Sequence, residues 1–328
     1  MKRSKEKITL SILLAAVLVV GIVGYMIYVQ RQFYTESTKN LLETYEQVDK
    51  TFTMFAQRNW NVLSEWGSNL QDDADGEAVR ASLCLFNQQK PTWKYSGLYL
   101  FNEDCTYLDA EGGHGSAKHI WGAFSEMYTT GHPCVGSYTM KNGERRVVFT
   151  VPIEPVEVDG ETYTCIAVSY DNETLEEMIG GHAYNGQSDC YIIYPSGDIM
   201  LSEEPKSEIE RWMENLFDFL EQNAQVNTNA LAKMREDVQN SGRGSVAYRY
   251  GGKSYYLVYQ PVGFQSLSIV GIVDRSVVDA GMRKIQTATI LLLIALMAGI
   301  VFTLVRFVRI NARQEVEEKE HALRAEAS

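Results

Sequence analysis

Between Ile8 and Val29 the sequence carries no charge, and between Arg31 and Trp66 it has neither proline nor glycine. Basic residues are also in short supply: 30 Lys and Arg stand against 42 Asp and Glu, a formal net charge of −12. That balance excludes a nucleic-acid partner and argues against adhesion of the bulk of the chain to anionic lipid headgroups. The five cysteines are irregularly spaced and include no CxxC pair. They allow at most two disulfides and argue against a structural zinc site. His114, His119, His132 and Cys134 match no tight ligand spacing, so no metal is expected. Gly112-Gly113-His114-Gly115 lacks the GK[ST] ending of a phosphate loop, which excludes a nucleotide site there. No nucleophile–base–orienter set is legible, and neither catalytic residues nor a cofactor are expected.

What is present begins with two apolar runs. Ile8–Val29 is 22 residues long, about 33 Å as a helix and enough to cross a hydrocarbon layer of roughly 30 Å. Ile285–Val305 is a second run of 21 residues, with Gln286 its only strongly polar member. Lys2, Arg3, Lys5 and Lys7 precede the first run, and Arg306, Arg309 and Arg313 follow the second. The pattern predicts transmembrane helices at 8–29 and 285–305, the lipid bilayer as a partner, and cytoplasmic termini at 1–7 and 306–328. The first run is too long for a signal-peptide core and no small-residue cleavage site follows it, so it reads as an uncleaved anchor. Residues 30–284 then lie outside; they hold 21 of the 30 basic and 36 of the 42 acidic residues, a balance of −15.

After the first run, Leu41, Tyr45, Val48, Phe52, Phe55, Val62 and Trp66 recur at spacings of four and three, with Asn59 at one seam position. This heptad pattern predicts a stalk helix over 30–70. Two uses of its seam are open: packing on the helix's own domain, or a dimer interface. Beyond Gly67 the period changes to two. Ser96–Phe101 and Thr106–Ala110 predict a hairpin, Arg145–Ile153 and Glu161–Ser169 two further strands, and Asp171 the start of a short helix. A second set follows, with a hairpin at Cys190–Tyr194 and Asp198–Ser202 and helices at about 206–222 and 226–239. Aligning Pro152 with Pro261 also aligns Gly143 with Gly252 without a gap. Each copy then leads to a strand ending in Asp, Ala167-Val168-Ser169-Tyr170-Asp171 and Val270-Gly271-Ile272-Val273-Asp274. The repeat predicts an α+β chain with two antiparallel-sheet lobes, at 71–183 and 184–284.

This layout of anchor, long helix, two PAS-like sheets and second anchor resembles the double Cache sensor domains of bacterial transmembrane receptors. The resemblance implies a ligand in the first, membrane-distal lobe. The family's common amino-acid-binding version has a Tyr, then Arg-x-Trp-Tyr, and later an Asp that ends the last distal strand. Lys118-His119-Ile120-Trp121-Gly122 lies where that motif belongs. Trp121 matches the Trp and Asp171 the Asp, whereas His119 replaces the Arg, Gly122 the Tyr, and His114 the leading Tyr. A His offers one donor at a time where Arg grips a carboxylate through a planar fork. The implied ligand is thus an amino acid, an amine, a peptide or another metabolite. Arg145 and Arg146, paired at a strand start and facing opposite sides of the sheet, offer one side chain to meet an anion. Tyr170 and Trp121 read either as pocket aromatics or as core, and Asp171 as a ligand contact or as a helix cap.

From Arg306 the chain continues as a helix-favouring, Glu/Ala-rich stretch that resembles the linker before the dimerisation helix of a sensor histidine kinase. The expectation is a dimeric sensing module, the input of a two-component histidine kinase whose output domain lies beyond Ser328. The alternatives are the input of a diguanylate cyclase and a membrane-tethered protein-binding or adhesion module.

Overall fold

The computed structural model describes residues 2–71, 75–117, 123–139, 145–179, 187–202 and 214–326. The chain divides into two units: the flanking helical segments, up to Ser37 and from Ser276, and the body between them, Thr38–Arg275.

The flanking unit belongs to two long helices, α1 (Lys2–Gln71) and α8 (Arg275–Glu326). Both apolar runs of the sequence fall within them. Among the described residues no helix is long and apolar enough to cross a membrane. The side chains of residues 1–16, 18 and 19, which include half of the first run, lie outside those described, as do those of Ile285, Gln286 and Leu304 in the second.

In the body, α1 comes first. Leu41, Tyr45, Val48, Phe52, Ala56, Leu63, Trp66 and Leu70 are all buried. They form the stripe that a 3.6-residue period places on one face of a helix. Both sheets pack against that stripe, so the heptad seam is occupied within the chain. Helix α1 ends at Gln71.

The first lobe opens with α2 (Gly76–Asn87) and α3 (Lys90–Trp93). Asp75 caps α2 by accepting a hydrogen bond from the Ala78 amide at 2.9 Å. Its strands are β1 (Gly97–Phe101), β2 (Thr106–Asp109), β3 (His114–Ser116), β4 (Cys134–Thr139), β5 (Arg145–Val158) and β6 (Glu161–Asp171). Between β3 and β4 lies α4 (Ala123–Thr130), and after β6 comes α5 (Asn172–Ile179). The antiparallel order is β3-β2-β1-β6-β5-β4. One face turns to α1: Tyr170 donates to Asn59 Oδ1 at 2.7 Å and meets Phe55 edge-on, ring centroids 5.1 Å apart.

The second lobe repeats the plan. It comprises β7 (Ser188–Ile193), β8 (Ile199–Ser202), α6 (Leu216–Gln222), β9 (Gln225–Val226), α7 (Thr228–Gln239), β10 (Gly244–Tyr250), β11 (Lys253–Pro261) and β12 (Ser268–Asp274), in the order β8-β7-β12-β11-β10-β9. Leaving out β3 and β9, the five-strand core is the same in both lobes. The sequence repeat falls in register: Pro152 pairs with Cys165, and its counterpart Pro261 with Ser268. Asp171 and Asp274 close corresponding strands, each followed at once by a helix. Asn215 and Asn227 cap α6 and α7, each accepting from two backbone amides. Of the first expected helix, at about 206–222, the described residues show Leu216–Gln222; residues 203–213 lie outside those described.

Two close approaches set the helix on the sheets. A Cβ on Gly67 would lie 2.5 Å from Ile153 Cγ2, and one on Gly271 would overlap the Tyr45 ring. Tyr45 packs against the strand there and donates to the Asp189 carbonyl at 3.2 Å. Gly271→Ala is therefore expected to force the ring out of its seat and to destabilise the body by about 1–3 kcal/mol, read as a lowered urea midpoint in equilibrium unfolding.

Candidate functional site

Alternation along the strands gives the first sheet a second face, turned away from α1. Cross-strand pairing divides it into rows. One end row is Tyr138–Arg146–Asp171, and the next is Gly136–Val148–Ser169–Gly97. Then come Cys134–Thr150–Ala167–Tyr99–Asp109 and, furthest along, Cys165–Phe101–Tyr107–Gly115. The two far rows are apolar at their centre. Met127 of α4 is buried against Phe101, Cys134, Val148, Cys165 and Ala167, with Tyr99, Tyr107, Tyr128 and Tyr138 packed around the cluster.

The near rows mix polar and apolar side chains: Val148 is buried, and Tyr138 and Arg146 are half-buried. Ser169 is fully buried and donates to Tyr99 Oη at 3.5 Å. The Tyr138 hydroxyl is in hydrogen-bonding reach of Ser169 and Tyr99. Burial drives the Tyr138 phenol pKa well above its ordinary value, and the neighbouring Tyr99 adds to the shift. Tyr107 is raised for the same first reason, with Tyr99 and Asp109 contributing and Arg146 opposing. These phenols stay protonated at neutral pH and serve as hydroxyl donors and acceptors. The guanidinium of Arg146, always charged, stands among them at half burial.

Asp171 sits beside Arg146 in register. Its Oδ1 accepts from the Thr174 amide at 2.7 Å, capping α5, and its Oδ2 accepts from Ser96 Oγ at 2.9 Å. Burial alone would raise its carboxyl pKa. Hydrogen bonds from Thr174 and Ser96 outweigh that cost and hold it below the ordinary value. The group is ionised at neutral pH.

The expected site residues are thus only partly brought together. Asp171 and Arg146 share the near row. Tyr170 does not join them: it is fully buried on the α1 side. Arg145 pairs with Thr139 at the start of β5, and its side chain lies outside those described. His119 and Trp121 fall in residues 118–122, also outside. His114 lies in register with Leu108, on the other face from Asp171. It is exposed, with Nε2 3.5 Å from an Arg80 nitrogen and 3.9 Å from Asp159 Oδ2. Sequence reasoning missed Tyr99, Tyr107, Tyr138 and Ser169. Ser169 was reachable by counting two residues back from Asp171; the tyrosines needed the strand pairing. Among the described residues no three His, Cys, Asp or Glu side chains are grouped to hold a metal. No disulfide joins any of the five cysteines.

The corresponding face of the second lobe is built differently. Its row equivalent to Gly136–Val148–Ser169–Gly97 is Val246–Leu257–Ile272–Asp189. Val246, Leu257 and Ile272 are buried with Leu216, Leu220, Leu231 and Met234 of α6 and α7 in one continuous core. In the first lobe Val148 is the one aliphatic member of the row, and Gly136, Ser169 and Gly97 take the other places.

Two antiparallel sheets of one strand order on a shared long helix define the fold of the double Cache sensor domains. No family model matches the chain, and no curated protein matches it. Solved structures do. The extracellular domain of mmHK1S-Z3, a protein assigned to the histidine kinases, aligns with a TM-score of 0.53 at 17% identity, over 77% of this chain and 98% of that one. The ligand-binding domain of the amino acid chemoreceptor PctB of Pseudomonas aeruginosa PAO1, solved with L-Gln, gives 0.53 at 15% identity over 76% and 98%. The ligand-binding domain of Mlp24, solved with asparagine, gives 0.51 at 16% identity over 76% and 97%. At these identities the likeness is one of fold.

The dual attachment of Asp171 carries a prediction. A depressed folded-state pKa means that the stabilisation is complete above the ordinary carboxylate value of 3.8 and is lost as the pH falls through the lower folded-state value. Asp171→Ala is expected to cost about 1 kcal/mol near neutral pH. The gap to wild type should close as the medium is acidified below about pH 4, read by urea unfolding at each pH.

Proposed function

We propose that this chain is an extracytoplasmic sensor of a small zwitterionic or cationic metabolite, an α-amino acid being the first class to test. The observation that carries the reading is the near row of the first sheet. There a permanent cation, Arg146, and an ionised carboxylate, Asp171, lie side by side. Beside them runs the row Gly136–Val148–Ser169–Gly97, with the hydroxyls of Tyr99 and Tyr138 at Ser169. An ammonium group suits Asp171, a carboxylate suits Arg146, and the phenols supply neutral hydrogen bonds to the remainder. The apolar filling of the equivalent face in the second lobe supports placing the ligand in the first. Trp121 and His119 are proposed to complete the site from the segment that leads into α4 at Ala123. The fold shared with PctB, solved with L-Gln, and Mlp24, solved with asparagine, supports the same ligand class.

The runs Ile8–Val29 and Ile285–Val305 are proposed to cross the membrane, leaving the body outside. Val20, Val23, Tyr28, Leu291, Leu292 and Phe302 are exposed on the helices that contain these runs, and lipid is the surrounding that such surfaces match. Signal output through a histidine kinase agrees with the fold shared with mmHK1S-Z3. Pairing of two copies is assigned to the flanking helical segments, because the apolar stripe of α1 in the body is occupied by the sheets.

The test is a thermal-shift screen of the full chain in nanodiscs with the twenty amino acids, γ-aminobutyrate and simple amines, followed by calorimetry on each hit. Asp171→Ala and Arg146→Ala are each expected to weaken a hit roughly 10- to 100-fold, the loss of one charged hydrogen-bonding partner. Tyr170→Phe is expected to bind as wild type while losing stability. A hit indifferent to both charged substitutions would remove the site from this face. No shift with any of these compounds would overturn the ligand class.

A further inference from the structure

The loop between β11 and β12, residues 262–267, leaves the second lobe and seats itself in the first. Phe264 stands against Phe52 and Trp60 of α1, with ring centroids at 5.4 and 5.0 Å. The Gly263 amide donates to Asp49 Oδ1 at 3.0 Å. Gln265 reaches furthest. The Val135 amide donates to its Oε1 at 2.6 Å, and its Nε2 donates back to the Val135 carbonyl at 3.2 Å. Val135 belongs to β4, the edge of the first sheet. The side-chain amide therefore stands in for the backbone of a further strand. The same Nε2 donates to Glu126 Oε2 of α4 at 3.0 Å. Gln265 makes these three bonds from a φ of +47°. A residue with a side chain enters that left-handed region rarely and at a cost, so the contacts must hold it there.

The two partners of Gln265 belong to the layer that lines and covers the ligand face. Glu126 precedes Met127, which is buried over the centre of that face, and Val135 follows Cys134 of the same cluster. On its other side the loop ends at Leu267. β12 starts at Ser268 and ends at Asp274, and α8 begins at Arg275. We infer that Gln265 is the coupling residue between the lobes: its side-chain amide ties α4 and edge strand β4 to the strand that leads into α8. The direction of this coupling, from ligand to helix, rests on the sensing role proposed above; the coupling itself does not. A displacement of α4 or β4 changes the bonds that hold Gln265 in a strained conformation. That conformation sets the turn from which β12 departs. Because coupling between two sites is reciprocal, a change made at either end must be felt at the other.

The experiment is hydrogen–deuterium exchange with mass spectrometry on the full chain in lipid nanodiscs, first without any ligand. Glu126→Ala is expected to raise exchange about fivefold across residues 263–270 as well as within α4, the loss of one hydrogen bond. Glu126→Gln, which keeps an acceptor oxygen, should behave as wild type. Gln265→Gly relieves the left-handed backbone while removing the side chain. It should remain folded and raise exchange at β4 and α4 by a similar factor. Exchange changes confined to the substituted lobe in both cases would overturn the coupling. The second arm adds whichever of the twenty amino acids shifts the wild-type melting temperature. Gln265→Gly is expected to bind it within about threefold of wild type yet lose the ligand-dependent change in β12. An unchanged β12 response in that variant would refute the coupling and leave the sensing role standing. Failure of every amino acid to bind wild type would refute that ligand class, with the ligand-free arm still deciding the coupling.

Discussion

Helix α1 presents one apolar stripe to two sheets, and most of the body follows from that contact. Trp66 and Phe55 serve the first lobe, Tyr45 the second, and Phe52 lies between Phe149 of one and Phe264 of the other. A helix of this length alone in water would have its apolar side chains exposed, and neither sheet would have a cover for its inner face. Each supplies what the other lacks. The glycines at 67 and 271 mark where the helix and a sheet come closest, and Asn59 shows how a polar residue is kept within the stripe. Its amide donates to the Phe55 carbonyl and its oxygen accepts from Tyr170.

With one face of each sheet committed to the helix, the lobes differ only in what they do with the other. The second lobe fills that face with branched aliphatic residues and covers it with two asparagine-capped helices. The first has Gly136, Val148, Ser169 and Gly97 at the equivalent positions, sets phenols around them, and places a cation beside a carboxylate in the next row. Such a face is costly to bury without a partner, since charged and hydroxyl groups lose water in exchange for incomplete hydrogen bonding. The two lobes thus share one strand order and differ in the side chains that their outer faces carry.

Much of this architecture was legible in the sequence, because it rests on short-range rules. Period-two alternation around Asn102–Cys105 and Asp159-Gly160 marked the hairpins, and the coincidence of Pro152 with Pro261 exposed the duplication. The 4-3 spacing located the stripe on α1. It left open what the stripe meets, because a helix packed on a sheet and one packed on a second helix need the same spacing. The site was harder to read. Tyr170 drew attention as the aromatic beside Asp171, yet adjacent residues on a strand face opposite ways. Tyr99 and Tyr138 come from strands separated in sequence from Asp171, and only pairing register joins them. β4 and α4 escaped notice because Cys-Val-Gly-Ser-Tyr-Thr alternates small with small, and an eight-residue helix offers too few turns for a period.

The shared stripe has a practical corollary for anyone who would isolate part of this molecule. A cut ahead of the second lobe would leave Leu41, Tyr45 and Val48 facing water, and a cut after α1 would uncover the inner faces of both sheets. Neither lobe is a self-sufficient fragment. A soluble piece has to begin before Leu41 and run past Asp274, so that the helix leaves with both of the sheets it covers.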